Sequence, residues 1–251
     1  YTDDNGSTEN HKYEVTYRPP GKTSDESLKV DLYCHTVTNR RLGNVNLHVT
    51  KTWVDGGTGL RKKIQDKLQN IYEETKTKDS AQAVDISLAF KLKFAEDSSK
   101  PGYTITYSGV DNKDTVTIGR RHRRVPIQDK DGNGASSEQS ILGRTKNPSE
   151  TPDKAYFGNL PKYDMDGQVV HYEAEEVWLK RVGGGASQEM PLAEIEEDYP
   201  ELYKLIQDYQ ISFDADDYGS NEDHSVDNQE AWVTNRLTGT KTVIWHKEWK
   251  D

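Results

Sequence analysis

Val84-Asp85-Ile86-Ser87-Leu88-Ala89-Phe90-Lys91-Leu92-Lys93-Phe94 sets Val, Ile, Leu and Phe at every second position against Asp, Ser, Ala and Lys. Successive side chains of an extended chain point to opposite faces, so a period of two describes a strand with one buried face. Working outward, Leu47, Val49 and Trp53 alternate in the same way, as do Val243, Trp245 and Trp249 near the far end. Tyr103 to Tyr107 and Asp114 to Ile118 read as a hairpin around Val110-Asp111-Asn112, and Asp164-Met165-Asp166-Gly167 as a second turn. The expected class is all-β. Two helices interrupt it: Leu60, Ile64, Leu68, Ile71 and Tyr72 form one amphipathic face, and Pro200 can open a second helix carrying Leu202, Leu205, Ile206 and Tyr209 inward. Segments 129–153 and 214–230, rich in Gly, Ser, Asn and Asp, read as loops.

Composition narrows the function classes. Only 32% of the 251 residues are hydrophobic and 30% are charged, which predicts long polar loops on a modest core. A net charge of −10 argues against nucleic acid or an anionic membrane as partner. No run approaches the roughly 18 apolar residues of a membrane span. Neither end carries a signal-peptide pattern, and an internal fragment would look the same. Cys34 is the only cysteine, so no disulfide framework or cysteine-rich zinc site can form within the chain. If the protein is secreted, something other than disulfides must stiffen it.

A short repeat is present. Val37-Thr38-Asn39-Arg40 recurs as Val233-Thr234-Asn235-Arg236, and each copy precedes a β run with Lys and Trp two apart, Lys51-Thr52-Trp53-Val54-Asp55 and Lys247-Glu248-Trp249-Lys250-Asp251. Each instance marks a junction between consecutive domains. Residues 1–43 are then the C-terminal part of a preceding repeat, 44–237 a complete domain with long insertions, and 238–251 the first strand of a following one.

Three phrases of the complete unit resemble the Cna B-type repeats, the immunoglobulin-like modules of Gram-positive adhesins and pilins. Leu47-His48-Val49-Thr50-Lys51-Thr52-Trp53-Val54-Asp55 matches the opening strand of that family. Phe157-Gly158-Asn159-Leu160-Pro161-Lys162-Tyr163-Asp164-Met165-Asp166-Gly167, running into Tyr172-Glu173-Ala174-Glu175-Glu176, matches its middle, and Val233-Thr234-Asn235 its last strand. Segments of about 97 to 150 and 179 to 225 match nothing in the family. The resemblance implies an immunoglobulin-like β-sandwich with helical insertions and an isopeptide triad of Lys51, Glu176 and Asn235. It also implies an extracellular place at the cell surface or cell wall. Tyr13-Glu14-Val15-Thr16-Tyr17 resembles the middle phrase again, with Tyr17 where the acid should stand.

Strand alternation lets the implied triad be tested. It puts Lys51 on the face of Val49 and Trp53, Asn235 on that of Ala231 and Val233, and Glu176 on that of Tyr172 and Ala174. A buried lysine tends to lose its proton and a buried carboxyl to keep its own, which makes one a nucleophile and the other an acid. The amine can then attack the Asn235 amide while Glu176 moves a proton, and no cofactor is needed. Glu175 is the competing acid, but it alternates onto the opposite face.

The remaining signals are weaker. Asp129, Asp131 and Asn133 begin an EF-hand-like run, but Ser140 stands where the bidentate Glu would be and no flanking helices are evident, so a solvated turn is the competing reading. The basic run Arg120-Arg121-His122-Arg123-Arg124 fits a polyanion site or a solvated face. The histidines show no metal-ligand spacing, and no motif for an enzyme acting on an external substrate occurs. Asn39 and Lys247 are candidates for bonds to neighbouring repeats or subunits of the same protein, completed in a tandem array or by the strand of another chain. The expected function is a structural repeat of a surface stalk or fibre; the alternative is an adhesin domain that binds a host or matrix ligand through its insertions.

Overall fold

The computed structural model describes residues 12–25, 30–107, 113–119, 123–144, 153–215 and 226–238. The chain enters as an antiparallel ribbon of β1 (Lys12–Asp25) and β2 (Val30–Leu42), which forms a two-stranded sheet of its own. Its register shifts between Arg18 and Gly21, where two prolines lack the N–H that a ladder needs.

The body is mostly β. β3 (Asn44–Val54) leads through helix α1 (Leu60–Lys78) to β4 (Val84–Phe94). β5 (Thr104–Thr106), β6 (Thr115–Ile118) and β7 (Arg123–Pro126) form a small antiparallel sheet, followed by β8 (Glu138–Gly143), β9 (Lys154–Pro161) and β10 (Tyr172–Val182). After the short β11 (Gln188–Glu189) come helices α2 (Leu192–Asp198) and α3 (Pro200–Ile206), then β12 (Tyr209–Ala215) and β13 (Val226–Leu237).

Two four-stranded sheets carry the core, in the orders β12-β13-β3-β9 and β11-β10-β4-β8. Val45, Leu47 and Val49 of β3 alternate inward, as do Ile86, Leu88, Phe90 and Leu92 of β4, and both rows join one hydrophobic cluster. The first and last strands of this body lie side by side and parallel, with Val233 opposite Lys51 and Asn235 opposite Trp53. Parallel neighbours need a long crossover, and here the whole unit between them serves as that connection.

The phrase Phe157-Gly158-Asn159 has a local role. The β3–β9 register shifts between Val45 and Leu47, and Asn159 takes a left-handed φ of 62° there, a conformation asparagine tolerates better than most residues. Its backbone N–H reaches Asn46 Oδ1 at 3.1 Å and its Oδ1 accepts from Asn44 Nδ2 at 2.8 Å. A Cβ on Gly158 would lie 2.6 Å from the Tyr156 ring and 3.0 Å from the Gln128 carbonyl oxygen, so the strands meet there only because the side chain is absent. Tyr172 then donates to the Pro161 carbonyl at 2.8 Å and ties the start of β10 to the end of β9.

Several expectations need correction. β8 lies inside the segment read as loop, because Ile141 and Leu142 are buried and β4 supplies its ladder. Segment 214–230 likewise holds the end of β12 and the start of β13, and residues 216–225 fall outside the described ones. The second helix does start at Pro200, but it stops at Ile206, and Tyr209 begins a strand. α2 was not foreseen. Among the described residues no helix is long and apolar enough to cross a membrane.

Candidate functional site

Three strands from both large sheets converge on one buried polar cluster. Lys51 continues the inward row of β3 after Val45, Leu47 and Val49, and its side chain is 0% exposed. Glu176 follows Tyr172 and Ala174 on the inner face of β10, with a side chain 4% exposed. Asn235 follows Ala231 and Val233 on β13 and is also buried. Glu175 is exposed, so the two adjacent glutamates serve opposite faces.

The carboxylate of Glu176 bridges the other two. The Lys51 ammonium nitrogen donates to Oε2, and Asn235 Nδ2 donates to Oε1 at 2.9 Å. Asn235 Oδ1 is buried without a hydrogen-bond partner. That carbonyl is therefore poised for a proton donor, since an unmet buried acceptor is costly. Burial holds the Lys51 amine below its ordinary value, outweighing the opposing pull of Glu176 and of Asp153.

Trp53, which the alternation put on the face of Lys51, and residues that it did not single out close the site. The Lys51 amine sits 4.9 Å from the centroid of the Trp53 ring, and Trp53 meets Tyr209 edge to face at 5.6 Å. The Tyr209 hydroxyl, buried without a partner, is pushed up to about 12 mainly by burial, with Asp55 and Glu176 adding to it. Beyond the last ladder pair of β3 and β9, the Lys51 N–H donates to the Asp153 carbonyl at 2.7 Å. The Asp153 carboxylate is held by Trp53 Nε1 at 3.0 Å and by Arg61 from α1, so it is already paired and leaves Lys51 to Glu176. Nothing in the spacing pointed to Asp153, which lies in a stretch read as loop.

The other candidates fare differently. Asp129 Oδ1 accepts from the N–H groups of Asp131 and Asn133, each at 2.9 Å, and the carboxyl is held below the usual range chiefly by the Asn133 N–H. Asp131 and Asn133 are exposed and Asp129 half-buried, and the three form a turn whose Asp129 carboxylate is met by its own backbone. Among the described residues no group of three or more His, Cys, Asp or Glu side chains is placed to hold a metal ion. Asn39 lies on β2 opposite Val15. Lys247 lies outside the described residues, as do Arg120, Arg121 and His122. Tyr13 to Tyr17 belong to β1, which is hydrogen-bonded to β2, and Tyr172 to Glu176 of the middle phrase belong to β10, which is hydrogen-bonded to β4. No family model matches the chain, and no curated protein and no solved structure shows significant similarity to it.

Proposed function

We propose that this chain is a structural repeat of an extracellular adhesin or pilus-like fibre, an immunoglobulin-type β-sandwich locked by a self-catalysed isopeptide bond between Lys51 and Asn235. The observation that carries the proposal is the buried Glu176 carboxyl in contact with both reacting side chains. An ordinary structural lysine would turn its amine outward along the strand surface. This one has its amine among Trp53, Glu176 and Asn235, where the charged form is penalised.

The reaction balances without a cofactor. A proton passes from the Lys51 ammonium to Glu176, which frees the amine. The Asn235 amide turns to bring Oδ1, in place of Nδ2, to the protonated carboxyl, and Nζ attacks Cγ while that carboxyl donates to Oδ1 and stabilises the developing oxyanion. Glu176 then relays a proton to Nδ2, the Cγ–Nδ2 bond breaks, and ammonia leaves. The product is a neutral secondary amide, so the cost of a buried ammonium disappears.

Chain order gives the bond its mechanical meaning. Lys51 and Asn235 lie on the first and last strands of the body, which are neighbours, so tension entering at one and leaving at the other passes through the covalent link. On the loop-entropy account used for disulfides, closing so long a loop contributes about 5 kcal/mol. The insertions support a stalk rather than a ligand-binding role, because they pack inward. Val116, Ile118 and Ile127 from the first, and Ile195 and Leu202 from the second, are buried in the common core.

Single-molecule pulling from the two ends of the body tests this reading. The expected trace lacks any extension from the chain between Lys51 and Asn235. Full-length extension of that stretch would overturn it.

A further inference from the structure

Two aromatic rings close over Asn235 from opposite sides. β13 lies between β12 and β3. Trp53 of β3 stands opposite Asn235 in the parallel pair, and Tyr209 stands diagonal to it on β12, where Ile211 is the direct partner. Adjacent strands are about 4.8 Å apart, so β3 and β12 are separated by about 10 Å across β13. The Trp53 and Tyr209 ring centroids are nonetheless 5.6 Å apart, edge to face. The rings therefore lean towards each other across β13, over the asparagine. Ile211 is 50% exposed and adds little to this cover.

Two polar atoms are left unmet at this roof. Asn235 Oδ1 and the Tyr209 hydroxyl are both buried without a hydrogen-bond partner. Orphan buried polar atoms cost free energy, so two of them at one site call for a second arrangement that satisfies them. The linking reaction supplies it. Nδ2 rests on Glu176 Oε1, so the amide must turn before its oxygen can meet the protonated carboxyl, and the turn carries Nδ2 into the place that Oδ1 holds. Its N–H groups then need an acceptor. Among the described residues, the other side-chain oxygen buried without a partner, Gln229 Oε1, stands near the far end of β13. Burial, with Asp55 and Glu176 adding to it, pushes the Tyr209 hydroxyl up to about 12, so it stays a neutral O–H group over the physiological range.

We infer that Tyr209 is a further residue of the linking reaction: its hydroxyl oxygen accepts from Nδ2 once the Asn235 amide turns, and holds the amide in the orientation that Nζ attacks. The inference rests on the proposed Lys51–Asn235 bond and assigns it a residue beyond Lys51, Glu176 and Asn235. Tyr209 transfers no proton. Donating an N–H leaves the Nδ2 lone pair, which the tetrahedral intermediate exposes, free for the proton that Glu176 relays. Trp53 takes the complementary part, because its ring braces Tyr209 while its Nε1 is anchored on Asp153 at 3.0 Å.

The test is the rate of ammonia loss when the full chain refolds from denaturant, read by intact mass after acid quenching and timed from the end of the tryptophan fluorescence change. Tyr209→Phe keeps the ring and removes the hydroxyl. It should slow ammonia loss about tenfold, the worth of one hydrogen bond to a buried amide, and still reach a complete link. Placed in Asn235→Ala, where no link can form, the same change should leave the denaturant midpoint unchanged or higher, because an unmet hydroxyl stabilises nothing in the resting fold. A Tyr209→Phe chain that links at the wild-type rate would overturn the inference. So would a lower midpoint in Asn235→Ala, which would mark the hydroxyl as structural. Both of those results leave the wild-type link intact, whereas a wild-type chain that folds without losing ammonia overturns the bond itself and this inference with it.

Discussion

Two Lys–Glu pairs sit back to back on the sheet that holds β4 and β10, and their surroundings give them opposite chemistry. Lys51 and Glu176 meet on the inner face, with side chains 0% and 4% exposed; Lys91 and Glu189 meet on the outer face, 38% and 46% exposed. Burial lowers the Lys51 amine despite its carboxyl partner. At Lys91 the same desolvation is outweighed by Glu189, Glu138 and Glu175, and the amine is raised. Solvent, not partner identity, decides whether burial outweighs the carboxylate and lowers the amine or the carboxylates raise it. The neighbouring glutamates of β10 are divided between the two faces, Glu176 inward and Glu175 across from Lys91.

The largest effect should come from removing the inner carboxyl. Glu176→Gln should leave Lys51 and Asn235 unlinked and lower the unfolding free energy by about 5 kcal/mol, the loop-closure contribution. Glu175→Gln should leave the link complete and cost under about 1 kcal/mol. Peptide mapping beside denaturant melts separates the two, and a linked Glu176→Gln protein would remove the distinction between the faces.

A smaller, pH-dependent effect should appear in Asn235→Ala, which keeps the inner pair but denies it an acceptor. The folded Lys51 amine titrates below 10.5, its ordinary value, so between those two points the unfolded chain binds more protons and the stability of the variant rises with pH. With the proposed link in place, the wild-type Nζ is an amide nitrogen and lacks this contribution. The raised amines of Lys91, Lys100 and Lys180 affect both proteins alike. The stability gap should therefore narrow as pH climbs towards 10.5, and a gap independent of pH would show that Lys51 is not buried as an amine in the unlinked protein. The smallest effect belongs to the outer pair: Lys91→Met should change stability by less than about 1 kcal/mol, and by less still in high salt.

Much of this arrangement was legible because alternation reports faces. The rows of β3, β4, β10 and β13 placed Lys51, Glu176 and Asn235 inward before any pairing was known. Pairing itself was less visible. β8 carries only Ile141 and Leu142 as buried apolar residues and exists through its ladder to β4, which no local pattern reports. α2 buries Ile195 alone and leaves too little periodicity to read. Tyr13 to Tyr17 shares its opening Tyr-Glu with the start of β10, and nothing in that local pattern reports its pairing with β2. Asp153 and Arg61 reach the site through a loop and a helix end, where position along the chain carries no facing information.

The most direct test of the central claim is the intact mass of the folded chain, followed by proteolysis and peptide sequencing. The predicted result is a mass short by one ammonia and a branched peptide joining Lys51 to Asn235. An unmodified mass in a folded sample, with both residues recovered in linear peptides, would contradict it.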